Sequence, residues 1–274
     1  MVAASQFPSL IKAVFFLVLE YSQINRLFRH INRGKVKVLM YHSISPHGMF
    51  FENSVSPSDF LLQVKYLREN YNVVSADALD DSNSYSADQI NLIITFDDGF
   101  KDNRIVATEI LRNEGLSAIF FVIGDCLELG SVPGFVRRKL GDDASAPPYH
   151  TIDLSDAGSM LECGMVIGAH SVRHDDYQLL GYKDGVVDAA SVQLQLQNLL
   201  SVPVENFAFP WGRFRKGQEN ELLRTYRRVF LTDHGFNAPG DQVMFRNEVF
   251  STLQLRAAAS GSLDYFRGFL RACK

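Results

Sequence analysis

The sequence predicts an α/β protein folded as a closed or nearly closed parallel β/α barrel, with an open doubly wound sheet as the alternative. Three observations predict it. Strand-like and helix-like stretches alternate from residue 35 onward. The strand stretches, such as "VKVLMY" (36–41), "LIITF" (92–96) and "SAIFFVI" (117–123), are apolar almost throughout, as strands are when both faces are buried. The chain's 274 residues, 46% of them hydrophobic, suffice for one large domain with its own core.

Residues 1–34 read as an N-terminal basic amphipathic helix and 35–274 as a single α/β domain. Phe7, Ile11, Val14, Val18, Ile24, Phe28 and Ile31 fall near helical spacing with arginines off that stripe. The apolar run Ala13–Leu19 is far short of the ~20 residues a bilayer span needs, and no small-residue cleavage site follows it. Two readings stand side by side: an interfacial helix over residues 7–31 making peripheral contact with a membrane, or a helix packed on its own domain or a partner. A signal anchor is a third.

Past Gly34, strand 36–41 is followed by a helix that Ser56 caps and Pro57 opens. Its Phe60, Leu61, Val64 and Leu67 share one face. "YNVVS" (71–75) reads as a short strand and 80–90 as a polar loop. "LIITF" leads into a helix over 102–114 that Gly115 ends. After strand 117–123, residues 125–152 read as a long loop or insertion. A helix from Leu154, strand "MVIGAH", helix 185–200, strand "NFAFP", helix 217–227, strand "RVFLT", strand "VMFRNEV" and helix 262–272 complete the series.

Composition bounds the function. A formal net charge of −4 argues against a nucleic-acid binder. Residues 1–38 depart from that average: Lys12, Arg26, Arg29, Arg33, Lys35 and Lys37 stand against one acid, Glu20, as suits an anionic surface. Cys126, Cys163 and Cys273 form no CxxC and are odd in number, which fits a reducing compartment, with one disulfide and a free thiol as the alternative. A cytoplasmic location, peripheral at the inner membrane face, is the expectation, ahead of a secreted or periplasmic one. No GxxxxGK[ST], GxGxxG or GxSxG follows a strand, so the usual nucleotide sites and the hydrolase elbow are missing.

Three clusters stand at strand ends, where a parallel β/α fold collects its working residues. The first is Thr95-Phe96-Asp97-Asp98-Gly99. Two adjacent carboxylates repel and need a positive partner, although acids after a strand also cap helices. The second is "GAHSVRH", with His170 and His174 four apart; a helical turn would let both imidazoles converge on one ion. Two His and one Asp make a three-ligand site with positions left for water, the pattern of a catalytic metal. The third is "FAFPWGRF" (207–214), where Pro210, Trp211 and Gly212 fix a turn whose backbone N–H groups can face the site, or simply turn the chain.

TFDDG, H-S-x-x-H and F-x-F-P-x-G in this order resemble the polysaccharide deacetylase family, the NodB-homology group or carbohydrate esterase family four. The likeness spans roughly residues 36–250. "LMYHSIS" (39–45) resembles the opening strand of the branch acting on poly-N-acetylglucosamine-type glycans. The resemblance implies a distorted (β/α)7 barrel holding a divalent metal, usually zinc, with cobalt, nickel or manganese as alternatives. It implies that Asp98, His170 and His174 bind the metal and that Asp97 is the general base. It implies also that the Trp211 N–H helps stabilise the oxyanion.

Three departures from the pattern remain. The arginine expected two residues before the proline is Ala208, and Arg246 in "VMFRNEV" is the candidate replacement, or else a structural ion pair. The acid–Trp segment is not recognisable. The Leu-x-His segment that supplies the general acid is missing, leaving His42 first and His234 second as candidates, or neither.

The expected function is N-deacetylation of N-acetylhexosamine residues in a glycan or lipid-linked saccharide. Hydrolysis of another small or cyclic amide, and a non-catalytic glycan-binding role, are the alternatives. Asp97 favours catalysis, since binding alone has no use for a base.

Overall fold

The computed structural model describes residues 17–19, 23–45, 54–141 and 149–272. The expected apolar positions Phe7, Ile11 and Val14, together with Cys273, lie outside the described residues.

Parallel strands form the core of the molecule. β1 (Val36–Tyr41) pairs with β5 (Asn91–Phe96) over six residues, and β5 continues through β6 (Ile119–Val122), β7 (Val166–Ala169), β8 (Asn206–Ala208) and β9 (Arg228–Phe230) to β10 (Val243–Met244). On the other side β1 pairs with β11 (Arg246–Glu248). β10 and β11 lie at opposite ends of this strand order yet only Phe245 separates them in the chain. One segment, 243–248, therefore holds both edges of the sheet and brings the barrel almost to closure. Counted as one stave, it makes seven. A short strand β4 (Asn72–Val73) pairs with the start of β5, and β2 (Ser43–Ile44) pairs with β3 (Ser54–Val55) beside the barrel.

Strand parity explains why the sequence shows no polar alternation. Leu39, Tyr41, Leu92, Ile94, Phe96, Phe120 and Ile167 face outward, against Phe60, Val64 and Leu67 of α2 (Pro57–Asn70) and other helices. Val36, Val38, Ile93, Ile119, Phe121, Ala208, Phe230 and Met244 fill the interior. Each face is removed from water, and each buried large side chain contributes about 1.5–3 kcal/mol. The same parity carries Thr95 and Asp97 inward at the end of β5.

Local chemistry sets the helices. Ser56 caps α2 by accepting from the Asp59 N–H, with Pro57 in the first turn. Asp153 and Asp156 form a reciprocal capping box at α6 (Leu154–Glu162), and Lys101 pairs with both. The helix expected over 102–114 is a π-helical turn at Asn103–Thr108 running into α3 (Glu109–Asn113), since Thr108 Oγ1 bonds Asn103 O at 2.8 Å and widens the ladder.

Several elements differ from expectation. Residues 125–152 are not all loop: α4 (Gly124–Leu127) and α5 (Gly134–Leu140) lie across this stretch, packed through Phe100, Ile123, Cys126, Phe135 and Val136. Both helices are too short to show a period in sequence. Helix 217–227 shrinks to α9 (Gln218–Glu221) and a 3-10 turn at 222–224. The single strand expected over 243–249 is broken at Phe245 because its halves serve different neighbours. A helix α10 (Thr252–Ser260), capped by Ser251, precedes α11 (Ser262–Ala272). The remaining helices are α1 (Ile24–Ile31), α7 (Tyr177–Leu180) and α8 (Tyr182–Leu200). α1 packs on α10 and α11, with Asn32 Nδ2 donating to Ser260 O at 3.1 Å. Among the described residues no helix is long and apolar enough to cross a membrane, and Cys126 and Cys163 are free thiols.

Candidate active site

The C-terminal ends of β5 and β7 bring the two strongest clusters together. After Phe96 the strand delivers Asp97 into the barrel; Asp98 (φ 70°) and Gly99 (φ 63°) then reverse the chain in left-handed geometry. A Cβ on Gly99 would meet Val122 Cγ1 at 3.0 Å. Asp98, a residue type that tolerates this region better than most, takes it without a glycine's freedom. From β7 the chain passes through Ser171 (φ 65°) and His174 (φ 63°). The segment joining the two histidines is therefore not a helical turn, and the imidazoles converge without one. It is an irregular loop closed by the His174 N–H donating to Ser171 Oγ at 2.6 Å.

Asp98, His170 and His174 are buried, with ligand atoms all within 4.8 Å of one another. His174 Nε2 lies 3.1 Å and His170 Nε2 3.5 Å from Asp98 Oδ1. Yet Asp98 Oδ1 makes no hydrogen bond, so the three groups converge on a shared point rather than on each other. His170 Nδ1 sits 2.8 Å from Ala208 O, which fixes its proton on Nδ1 and leaves Nε2 with a lone pair facing the carboxylate. A buried lone pair beside a buried, unpaired carboxylate oxygen is the environment of a divalent cation. The donor set of two imidazoles and one carboxylate suits zinc and its neighbours.

Protonation follows from the same crowding. Burial pushes the Asp98 carboxyl up, but the His174 charge and the close approach of both imidazole Nε2 atoms hold it well below the usual range. Burial lowers His174 below an ordinary histidine. For His170 burial is outweighed by the adjoining Asp98 carboxylate, the charge of Asp97 and the Ala208 carbonyl, and its pKa rises. With ring centres 4.9 Å apart, the His170 charge adds to burial in lowering His174.

Asp97 has a different partner. Arg246, from β11, reaches past β1 and grips it as a fork, Nη1 to Oδ1 at 2.6 Å and Nη2 to Oδ2 at 2.8 Å. Its Nε donates to Leu231 O at 2.9 Å, its Nη1 also reaches Thr95 Oγ1 at 3.3 Å, and it lies 5.3 Å from the Phe121 ring centre. Burial raises Asp97, but the Arg246 charge and then His170, the hydrogen bonds and His42 outweigh it, keeping Asp97 ionised. The guanidinium missing at Ala208 thus comes from another strand.

The remaining candidates divide. His42, just past β1, bears electrostatically on both Asp97 and Asp98 and has a buried Nδ1 without a hydrogen-bond partner. His234 lies exposed on the loop after β9. Pro210, Trp211 and Gly212 form a tight turn after β8 in which the Gly212 and Arg213 N–H groups are used internally, by Phe209 O and Pro210 O. Trp211 (φ 60°) packs edge-on against His174, 4.7 Å between ring centres. Beside it opens a cleft of about 310 Å³ lined by Arg138, Asp175, Asp176, Leu179, Leu180 and Trp211.

Two groups went unread in the sequence. Phe135 of α5 stacks on His174 at 4.3 Å, so the 125–152 insertion walls the site. Asp188 of α8 accepts from the Val172 N–H and the Tyr177 hydroxyl, pinning the loop between the histidines from outside. Phe135 had a hint in the apolar "GFV" within the insertion, whereas nothing distinguished Asp188 from a surface helix acid.

Residues 85–226 match the family model described as "Polysaccharide deacetylase". That span includes Asp97, Asp98, His170, His174 and the 210–212 turn, but neither His42 nor Arg246. YxkH of Bacillus subtilis (strain 168), whose name assigns it provisionally to the same family, is 23% identical over 215 residues, 77% of this chain and 69% of its own. Among solved structures, IcaB from Ammonifex degensii superposes with a TM-score of 0.67 at 22% identity, covering 83% of this chain and 97% of that one. Streptococcus pyogenes deacetylase PplD, in complex with acetate, gives 0.64 at 22%, covering 82% and 98%. At such identity the structural likeness speaks for the fold.

Proposed function

As this chain belongs to the polysaccharide deacetylase family, hydrolases of carbon–nitrogen bonds other than peptide bonds, we propose that it is a metal-dependent N-deacetylase acting on N-acetylhexosamine residues. The products are acetate and a free amine on a glycan or lipid-linked saccharide. One observation carries the reading: a buried carboxylate oxygen without a hydrogen bond faces two imidazoles, while a second carboxylate beside it is held ionised by a different partner. A structural ion pair has no need of two acids kept apart in this way.

Asp98, His170 and His174 would hold the metal, zinc being the best fit. A divalent ion there supplies Lewis acidity, lowering the pKa of water from ~15.7 towards ~7 and polarising the acetyl carbonyl. Asp97 takes a proton from the attacking water. Both its oxygens accept from Arg246, yet each keeps a further lone pair for that proton. The Arg246 fork fixes the carboxylate plane and keeps it charged until the transfer. As the acetyl carbon becomes tetrahedral, the Trp211 N–H is the candidate donor to its oxygen. His42 is the candidate acid for the leaving nitrogen. The exposed Trp211 and Leu179 beside the centre favour an extended saccharide over a small cyclic amide, which would want a closed pocket.

The test is acetate release from an N-acetylglucosamine oligomer and from a lipid-linked N-acetylhexosamine, with and without chelator and with zinc added back. Turnover should vanish with chelator, return with zinc, and fall at least ~100-fold in Asp97→Asn at unchanged metal content. Bound metal with no acetate from either substrate would overturn the substrate class. Full activity in Asp97→Asn would overturn the base.

A further inference from the structure

α1 has three stripes, and one of them packs against α10 and α11. At about 100° per residue, Ile24, Asn25, Phe28 and Asn32 fall together and face the domain. Asn25 Oδ1 accepts from Ser260 and Ser262 hydroxyls, Phe28 lies 5.3 Å from the Tyr265 ring, and Ile24 packs beside Ala258 and Leu263. Next round the helix come Arg26, Arg29, His30 and Arg33. Leu27 and Ile31, one turn apart, complete the circle at 56% and 57% exposed.

The basic stripe does not merely face solvent. With Asn70, Asp88, Gln89 and Ile90 it lines a cleft of about 400 Å³, in which Asp88 is the one carboxylate among the described residues, against four basic side chains. Arg29 is fixed in place, its Nη1 donating to the Tyr66 hydroxyl at 2.7 Å and its guanidinium 5.8 Å from the Tyr71 ring centre. Arg26, His30 and Arg33 are exposed.

We propose that this face of α1 docks on an anionic phospholipid bilayer. A headgroup phosphate enters the cleft among Arg26, Arg29, His30 and Arg33, and Leu27 and Ile31 enter the acyl boundary beside it. Interfacial helices combine a basic face with an apolar one, and neither suffices here: two aliphatic side chains bury little area, and the charges alone are screened by salt. The fold also fixes the orientation. The cleft lies where β1 and β5 begin, while Asp97 and Asp98 stand where β5 ends. The six-residue strand between them spans about 20 Å. Docking through α1 therefore turns the barrel mouth away from the bilayer. None of this depends on the hydrolytic reading.

The experiment is co-sedimentation of the full chain with vesicles of phosphatidylcholine alone and of phosphatidylcholine mixed with phosphatidylglycerol, at low and high salt. Binding to the anionic vesicles alone, released by salt, is expected. Arg26→Gln with Arg33→Gln should weaken it about 25-fold, roughly fivefold per charge. Leu27→Gln with Ile31→Gln should weaken it too. All four positions are exposed, so unchanged melting temperatures verify the fold of both variants. No binding, equal binding to neutral vesicles, or undiminished binding of the arginine variant would each overturn the proposal. Uptake of inorganic phosphate without vesicle binding would overturn it as well, assigning the cleft to a soluble anion.

Discussion

Asp97 and Asp98 are adjacent in sequence and opposite in surroundings. One carboxylate is held by a guanidinium fork, the other by nothing but two imidazole edges. The pair was legible in the sequence as a pair, because two acids between a buried strand and a glycine demand a cation. The division of labour was only partly legible, because Arg246 lies 149 residues from Asp97 on a strand with no motif around it. Removing that arginine leaves a buried, uncompensated carboxylate, which costs about 3–5 kcal/mol. Arg246→Ala should lower the urea midpoint of the metal-free protein accordingly. Adding Asp97→Asn to the same chain should restore part of the loss, since the stranded charge is gone. A double variant no more stable than Arg246→Ala would show that the cost lies in lost packing.

Among elements, the turn after β8 is the most exacting. Gly212 has φ 62°, and a Cβ there would come within 1.8 Å of Thr232 Oγ1. Gly212→Ala must push the turn away from β9 and carry Trp211 with it, off the face of His174. A loss of more than ~2 kcal/mol in stability is expected from the clash and backbone strain together, with weaker substrate binding. A crystal structure of the variant with Trp211 undisplaced would refute the coupling. Proline and glycine announced a turn in the sequence; the approach of Thr232 is tertiary and had no local sign. The same limit hid α4 and α5, too short for any period, and hid the break at Phe245, where one apolar run serves two neighbours. Long regular pieces such as β1, β5 and α2 were readable because cap, length and parity all agree.

For the molecule as a whole, buried acids pull stability in different directions with pH. Asp102, beside Ser43, is raised above its ordinary value of 3.8 by burial, which outweighs hydrogen bonds from Ser43, Ile44 and Asn103. Between the ordinary value and its raised one, the native state binds a proton that the unfolded state does not. Stability from this group therefore increases as pH falls through the native pKa. The melting temperature of the natural protein relative to Asp102→Asn should rise from neutral pH into mild acid. A flat difference would place Asp102 in an environment no different from water. The barrel itself was foreseeable from alternation and doubly apolar strands, and the family's motifs narrowed it to seven staves. What the pattern left out was how so small a barrel shuts.

The shutting has a mechanical side. β10 and β11 do not pair with each other; the ring is completed through the covalent chain at Phe245. Arg246, the first residue past that point, reaches back to Leu231 O with its Nε and across to Asp97 with its fork. It is a spoke laid across the weakest part of the rim. Any gaping of the rim would tug on the carboxylate proposed as the general base. Rim fluctuations should then disturb turnover, and hydrogen exchange at 243–248 should slow whenever a bound ligand tightens the mouth.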